Sequence, residues 1–194
     1  TFTARAGVIE EPRFHRAHEG HVFLDSTRLT QHVAVAGRLV VAGETITLDP
    51  ADTWGSRDRS WGIRPVGERE PDAPGTPAQF FWLWAPVNFD DLCTHFDVNE
   101  DADGRRWHEA GMIAPLGGPP ATARRVDWSI DWEPGTRRAR QATITLEPAD
   151  GAPLQISLRP LYHFAMVGLG YNHPTWGHGM ALGDEVADGE SFAL

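Results

Sequence analysis

Two short stretches hold most of the side chains with chemistry in them. The first reads Trp54-Gly55-Ser56-Arg57-Asp58-Arg59-Ser60-Trp61-Gly62-Ile63-Arg64-Pro65. In an alternating strand Arg57, Arg59 and Trp61 share one face, and Asp58, Ser60 and Gly62 share the other. A carboxylate turned inward among aromatic rings is kept protonated by desolvation, which makes Asp58 the candidate general acid. The alternative at this residue is an Arg–Asp pair that pins a strand to its neighbour. The second stretch is Gly168-Leu169-Gly170-Tyr171-Asn172-His173-Pro174-Thr175-Trp176-Gly177-His178-Gly179. Gly and Pro at this density imply a loop or a sharply bent strand that presents polar side chains to a ligand. His173 and His178 are its candidate proton carriers.

Neither stretch has the spacing of a metal site. His173 and His178 fit no helical His-Glu-x-x-His pattern, and no cysteine-assisted site is available with a single Cys93. A site would have to draw in a distant His163, His95 or His108, or a carboxylate, and nothing in the spacing argues for that. His15, His18 and His21 recur at steps of three, but Pro12, Glu19 and Gly20 interrupt the region, so a solvated connection is expected there. The acidic run from Asp97 to Asp103 precedes Arg105 and Arg106 where a calcium loop would want a further acid, so it reads as a solvated hairpin loop. No metal and no cofactor are expected.

Composition removes several classes. All 17 basic residues are Arg. Without Lys there is no Schiff base, no pyridoxal-phosphate attachment and no P-loop lysine. A formal net charge of -10 makes nucleic acid an unsuitable partner. The lone cysteine forbids an intrachain disulfide and fits a reducing, cytoplasmic setting. Apolar runs such as 80–87 and 164–169 fall well short of the roughly 20 residues of a membrane helix, so no stable membrane insertion is expected.

The elements that must position these residues are strands. Val126, Trp128, Ile130 and Trp132 alternate with Asp127, Ser129 and Asp131, and Pro134-Gly135 ends the run. The alternation resumes over 140–146 and again over 154–158, a meander of three antiparallel strands. Shorter runs at 31–36, 38–42 and 44–48 are punctuated by Gly37 and Gly43, and a more aromatic pair occupies 79–85 and 92–98. The stretch from Glu68 to Pro77, rich in Pro and charge, reads as an exposed loop. No 3.6-residue stripe appears. With 194 residues, 20 Gly and 15 Pro, one all-β antiparallel barrel or sandwich over 1–194 is expected, with room for part of a second barrel, and large enough to bury about 70% of its surface. Eight Trp either pack its core or wall a cavity for an apolar ligand.

Taken together, Arg57-Asp58-Arg59-Ser60-Trp61-Gly62 with Arg64-Pro65 resembles the Arg-Asp-His-Ser-Trp-Gly signature of the AttH-like and carotenoid 1,2-hydratase-related group. The stretch from Tyr171 to Gly179 is similar to that group's late Tyr-x-His-Pro-x-Trp-x-His-Gly segment. The resemblance implies lipocalin-like β-barrels, with this chain as the second half of a two-barrel protein and an N-terminal barrel as its partner. It further implies a hydrophobic, unsaturated small-molecule ligand such as a terpenoid or polyketide. The expected activity is a cofactor-independent lyase or isomerase, of hydratase or cyclase type. Asp58, His173 and His178 would be catalytic, and Arg59, Trp61, Trp82, Trp84, Tyr171 and Trp176 would bind substrate. Where the signature carries His this chain has Arg59, which cannot shuttle a proton but can anchor a substrate oxygen. The alternative from another class is a non-catalytic, lipocalin-like carrier of an apolar metabolite.

Overall fold

A computed structural model describes residues 1–67, 74–75, 81–163 and 173–189. The strand alternation of the sequence is realised throughout: the described residues form antiparallel sheets with no helix, and no helix among them is long and apolar enough to cross a membrane. The first sheet is organised by one long strand, β4 (His21–Val35). Along one edge it pairs with β1 (Phe2–Ala4), β2 (Ile9–Glu10) and β3 (Phe14–His18), and along the other with β7 (Trp54–Ile63). Between β4 and β7 a separate hairpin, β5 (Gly37–Val41) and β6 (Glu44–Leu48), leaves the sheet.

The second sheet is larger and curls into a half-barrel. Its order is β14 (Leu154–Leu158), β13 (Ala139–Pro148), β12 (Ala121–Trp132), β11 (Arg106–Pro115), β10 (Leu92–Glu100) and β8 (Phe81–Trp84), with β9 (Val87–Asn88) also on β10. The meander expected from the alternation is β12, β13 and β14, in the register Trp128↔Ile144↔Ile156. Phe96, Val98, Val126, Ile144, Leu146 and Ile156 form its apolar core.

Two expectations are corrected. The region of His15, His18 and His21 is a β-hairpin, not a solvated connection: Glu19 and Gly20, with φ of 49° and 79°, make the two-residue turn that closes the His18↔His21 pair. The residues read as interruptions are the turn that joins two strands. Asp97 does not belong to the acidic loop. It is a fully buried residue of β10, and the loop proper begins at Asp101, whose carbonyl accepts the Gly104 N–H.

Gly62 stands in the first chemical stretch for a steric reason. Its φ is 122°, and a Cβ there would stand 2.2 Å from the Asp25 carbonyl oxygen on β4, so any side chain would push β7 off the sheet. The stretch from Glu68 to Pro77 lies almost wholly outside the described residues.

Candidate functional site

The densest cluster of ionisable groups lies between the two sheets, and strand periodicity assembles it. On β4 the side chains of Ser26, Arg28, Thr30 and His32 face inward at every second position. On β10 the corresponding face carries Cys93, His95, Asp97 and Asn99, while Phe96 and Val98 point the other way into the apolar core. Register brings further groups to the same layer. His108 on β11 pairs with Asn99, Trp84 with Asp97 and Trp82 with Asn99, and Phe14 with Ser26. Glu11 follows β2, its N–H donating to the Arg28 carbonyl at 3.1 Å.

Arg28 is the hub. Its Nε and Nη2 donate to Glu11 Oε1 and Oε2 at 2.7 and 2.9 Å, a bidentate pair, and Nη2 also donates to Asp97 Oδ2. The guanidinium is flanked by Phe14, Trp82 and Trp84, at 4.8, 5.7 and 5.9 Å from their ring centroids. Asp97 Oδ1 accepts from Trp82 Nε1 at 2.8 Å and from Asn99 Nδ2 at 3.1 Å. His108 Nε2 lies 3.4 Å from Glu11 Oε2 and 3.5 Å from Asp97 Oδ2, its ring stacked on Phe14 at 3.7 Å. His95 Nε2 is 3.2 Å from Glu11 Oε1, out of line for a hydrogen bond.

Two carboxyl groups with one guanidinium between them do not ionise alike. Burial, and then the hydrogen bond and negative charge of Glu11, push Asp97 up to about 8. Burial would raise Glu11 as well, but His108, His95 and Arg28 around it hold it well below the usual carboxylate range. Burial and the neighbouring Glu11 therefore favour a proton on Asp97 over one on Glu11. Burial opposes the charge on Arg28, yet Glu11, Asp97 and Asp58 hold it firmly protonated.

Beside this pair lies a set of buried polar atoms with no hydrogen-bond partner among the described residues: Thr30 Oγ1, both ring nitrogens of His32, Trp84 Nε1 and His95 Nδ1. His32 approaches the Thr94 backbone without good alignment. Burial, then the charges of His95 and Arg5, push His32 down to about 4, so it is neutral under ordinary conditions. Each such atom costs about 1–3 kcal/mol when unsatisfied.

The donor atoms of Glu11, Asp97 and His108 lie within 4.8 Å of one another, a set that could hold a cation. The guanidinium already binds both carboxylates, however. A divalent ion would have to displace those hydrogen bonds and stand against the charge of Arg28.

Of the residues singled out in the sequence, Trp82 and Trp84 form part of this cluster. Asp58 sits at its rim: it pairs with Thr30 across β7 and β4, so it shares the inward face, and its side chain is exposed. Arg59 and Trp61 pair with Leu29 and Thr27 and face the other way, with the guanidinium 5.9 Å from the centroid of an indole that is 47% exposed. His173 Nδ1 accepts from the N–H groups of Trp176 and Thr175 at 2.8 and 3.2 Å, so this imidazole caps a turn. The His178 carbonyl accepts from Gly67 N–H at 2.8 Å, which brings the second stretch against the end of the first. Tyr171 lies outside the described residues.

Glu11, Arg28, His32, His95, Asp97 and His108 were not singled out as a site. The alternation His95, Asp97, Asn99 inside an apolar strand was the available signal for two of them. Glu11 and Arg28 stand alone in sequence and only the fold brings them together.

Comparison with known proteins matches residues 1–194 to a family described as a family of unknown function, DUF8625. No curated protein and no solved structure matches the chain.

Proposed function

Starting from the fact that the chain belongs to the DUF8625 family along its whole length, we propose that it is a cofactor-independent lyase or isomerase, of hydratase or cyclase type, with the Asp97–Glu11 pair as its acid–base centre. The ligand class is a hydrophobic, unsaturated small molecule such as a terpenoid or polyketide. The observation that carries this reading is a fully buried carboxyl group, Asp97, hydrogen-bonded to an indole and set beside a second buried carboxyl, Glu11, on the same guanidinium; burial and that neighbour push Asp97 up. Protonating an alkene needs such an acid in a place that excludes water. Glu11, held well below the usual carboxylate range, is the base that takes a proton back, and Trp82 and Trp84 wall the site beside Arg28. Trp82 is 45% exposed, so the indole that donates to Asp97 is also the layer between the acid and solvent.

In this reading the resemblance to the AttH-like group guides the choice of ligand, and the curled sheet is one wall of a lipocalin-like barrel. Asp58 stands at the mouth, on the face of β7 that continues the polar layer. Arg59 and Trp61 lie on the opposite face of β7, so in this reading the substrate contacts nearest the acid are Trp82 and Trp84, with Trp176 and the two late histidines as further candidates. The carrier reading draws on a different observation: Arg28 satisfies both carboxylates bidentately and so clamps the two sheets, which a carrier also needs.

The test is incubation with the ligand that copurifies with the protein, identified by native mass spectrometry. Turnover that falls at least about 100-fold in Asp97→Asn supports acid catalysis at Asp97. Loss in Asp58→Asn with Asp97→Asn fully active moves the acid to Asp58. Unchanged ligand in the unmodified protein supports the carrier.

A further inference from the structure

We propose that the polar layer beside the carboxyl pair is a subsite for a neutral hydroxyl or carbonyl oxygen, so that the ligands are apolar alcohols and ketones and not plain hydrocarbons; this rests on the acid–base reading of the same site. The layer is made of four side chains from three strands: Thr30 and His32 on β4, Trp84 on β8 and His95 on β10. Thr30, His32 and His95 have no solvent exposure, and Thr30 Oγ1, both nitrogens of His32, Trp84 Nε1 and His95 Nδ1 lack a partner among the described residues. Trp84 stands edge-on to His95, with ring centroids 6.1 Å apart at 74°, and Thr30 and His32 share the inward face of β4 with Arg28, whose Glu11 partner lies 3.2 Å from His95 Nε2, so the groups form one patch. Thr94 Oγ1 is also unpartnered, but it faces the opposite side of β10.

The chemistry of these groups selects the ligand atom. A neutral imidazole offers one donor and one acceptor, a threonine hydroxyl offers both, and an indole offers a donor only. Together they suit an oxygen that accepts hydrogen bonds and can also give one. An anion meets Glu11, whose Oε1 is 3.2 Å from His95 Nε2, and finds no uncommitted cation in the patch, because Arg28 is bound to Glu11 and Asp97. A cation meets Arg28 together with Arg5, whose charge also acts on His32. An oxygen held at His95 is one imidazole away from Glu11, so it would fix the alkene of the same molecule relative to the acid.

Three probes of one carbon skeleton test this on the full chain: geraniol, the hydrocarbon that lacks its hydroxyl, and geranic acid, with binding read by tryptophan fluorescence and calorimetry. Geraniol is expected to bind at least about tenfold more tightly than the other two, since a site built to bond an oxygen is left unpaired by its absence. In His32→Phe and His95→Phe the preference over the hydrocarbon is expected to vanish, while His95→Gln, which keeps polar atoms, retains part of it. Imidazole nitrogen NMR shifts of His32 and His95 in the unmodified protein are expected to move with geraniol, a readout independent of whether the Phe variants fold. Equal affinity for geraniol and hydrocarbon, tighter binding of geranic acid, no binding of geraniol at millimolar concentration, or unmoved imidazole shifts would each overturn the proposal. Asp97→Asn is expected to keep the preference, so the failure of acid catalysis leaves this result standing.

Discussion

β10 belongs to two interiors at once. Phe96 and Val98 enter the apolar core of the curled sheet, whereas His95, Asp97 and Asn99, one residue out of phase, enter the layer shared with β4. Both sides exclude water, and they are stabilised by different means. The apolar side gains from each buried side chain by transfer out of water, at about 1.5–3 kcal/mol apiece, with no dependence on partners. The polar side must first strip two carboxyl groups and a guanidinium of water, and holds only because the Arg28 charge meets Glu11 and the oxygens of Asp97 meet their donors. A core of the first kind tolerates gaps in proportion to their size. The second kind fails when a single partner is removed, and in return it supplies a proton that water cannot level.

Removing Arg28 should be the most damaging change. Arg28→Ala leaves Glu11 buried without its counter-ion and Asp97 without one of its donors, and an unfolding loss of about 3–5 kcal/mol is expected in denaturant titration. Replacing the whole network, as Glu11→Gln with Arg28→Met and Asp97→Asn, should recover most of that loss, because the penalty belongs to the orphaned charges. A triple variant as unstable as Arg28→Ala would mean that Arg28 acts by packing instead. On the apolar side, Ile144→Ala should cost about 2–5 kcal/mol through the cavity it opens, and the loss should be the same at every pH between acid and base limits. A loss that changed with pH would couple the two interiors.

The next effect is a pH slope confined to the polar side. Asp97 is raised from an unfolded 3.8 to about 8, so its protonated form is favoured by folding: that stability is complete below the unfolded value and is lost as pH rises towards 8. His32, lowered from 6.5 to about 4, acts with the opposite sign, its penalty fading as pH rises to 6.5. The Asp97 slope therefore emerges unopposed between about 6.5 and 8, at up to about 1.4 kcal/mol per unit. The same titration on Asp97→Asn should be flat there. The smallest effect is expected on the outer face of β7, where Trp61→Ala should change stability by no more than about 0.5 kcal/mol; a larger loss would contradict the placement of this indole on an open face.

Period-two patterning was enough to find the meander, because β12, β13 and β14 have one wet side and one dry side and the contrast is written in the residues. It misled at β10, whose two sides are both buried. A strand with His95, Asp97 and Asn99 opposite Phe96 and Val98 looks half-exposed in sequence, and the acids that follow Asp97 drew it into the loop. The alternation in the first chemical stretch was legible down to which residues share a face, since β7 is regular and paired with β4 throughout. What sequence could not say is how deep each face lies: Asp58 is at the rim, and the desolvated acid is 39 positions later in the chain at Asp97. Glu11 and Arg28 carry no local signal, because a bidentate pair between a loop and a strand has no period.

A titration of carboxyl carbon NMR shifts, with labelled aspartate and glutamate in the intact chain, tests the protonated pair most directly and needs no substrate. Asp97, assigned by its loss in Asp97→Asn, should change shift with a midpoint near 8, while Glu11 stays ionised until well below the ordinary carboxylate range. An Asp97 signal that is already fully ionised at pH 6 and flat from there upward would contradict the account, and would leave the cluster as a charged clamp between two sheets.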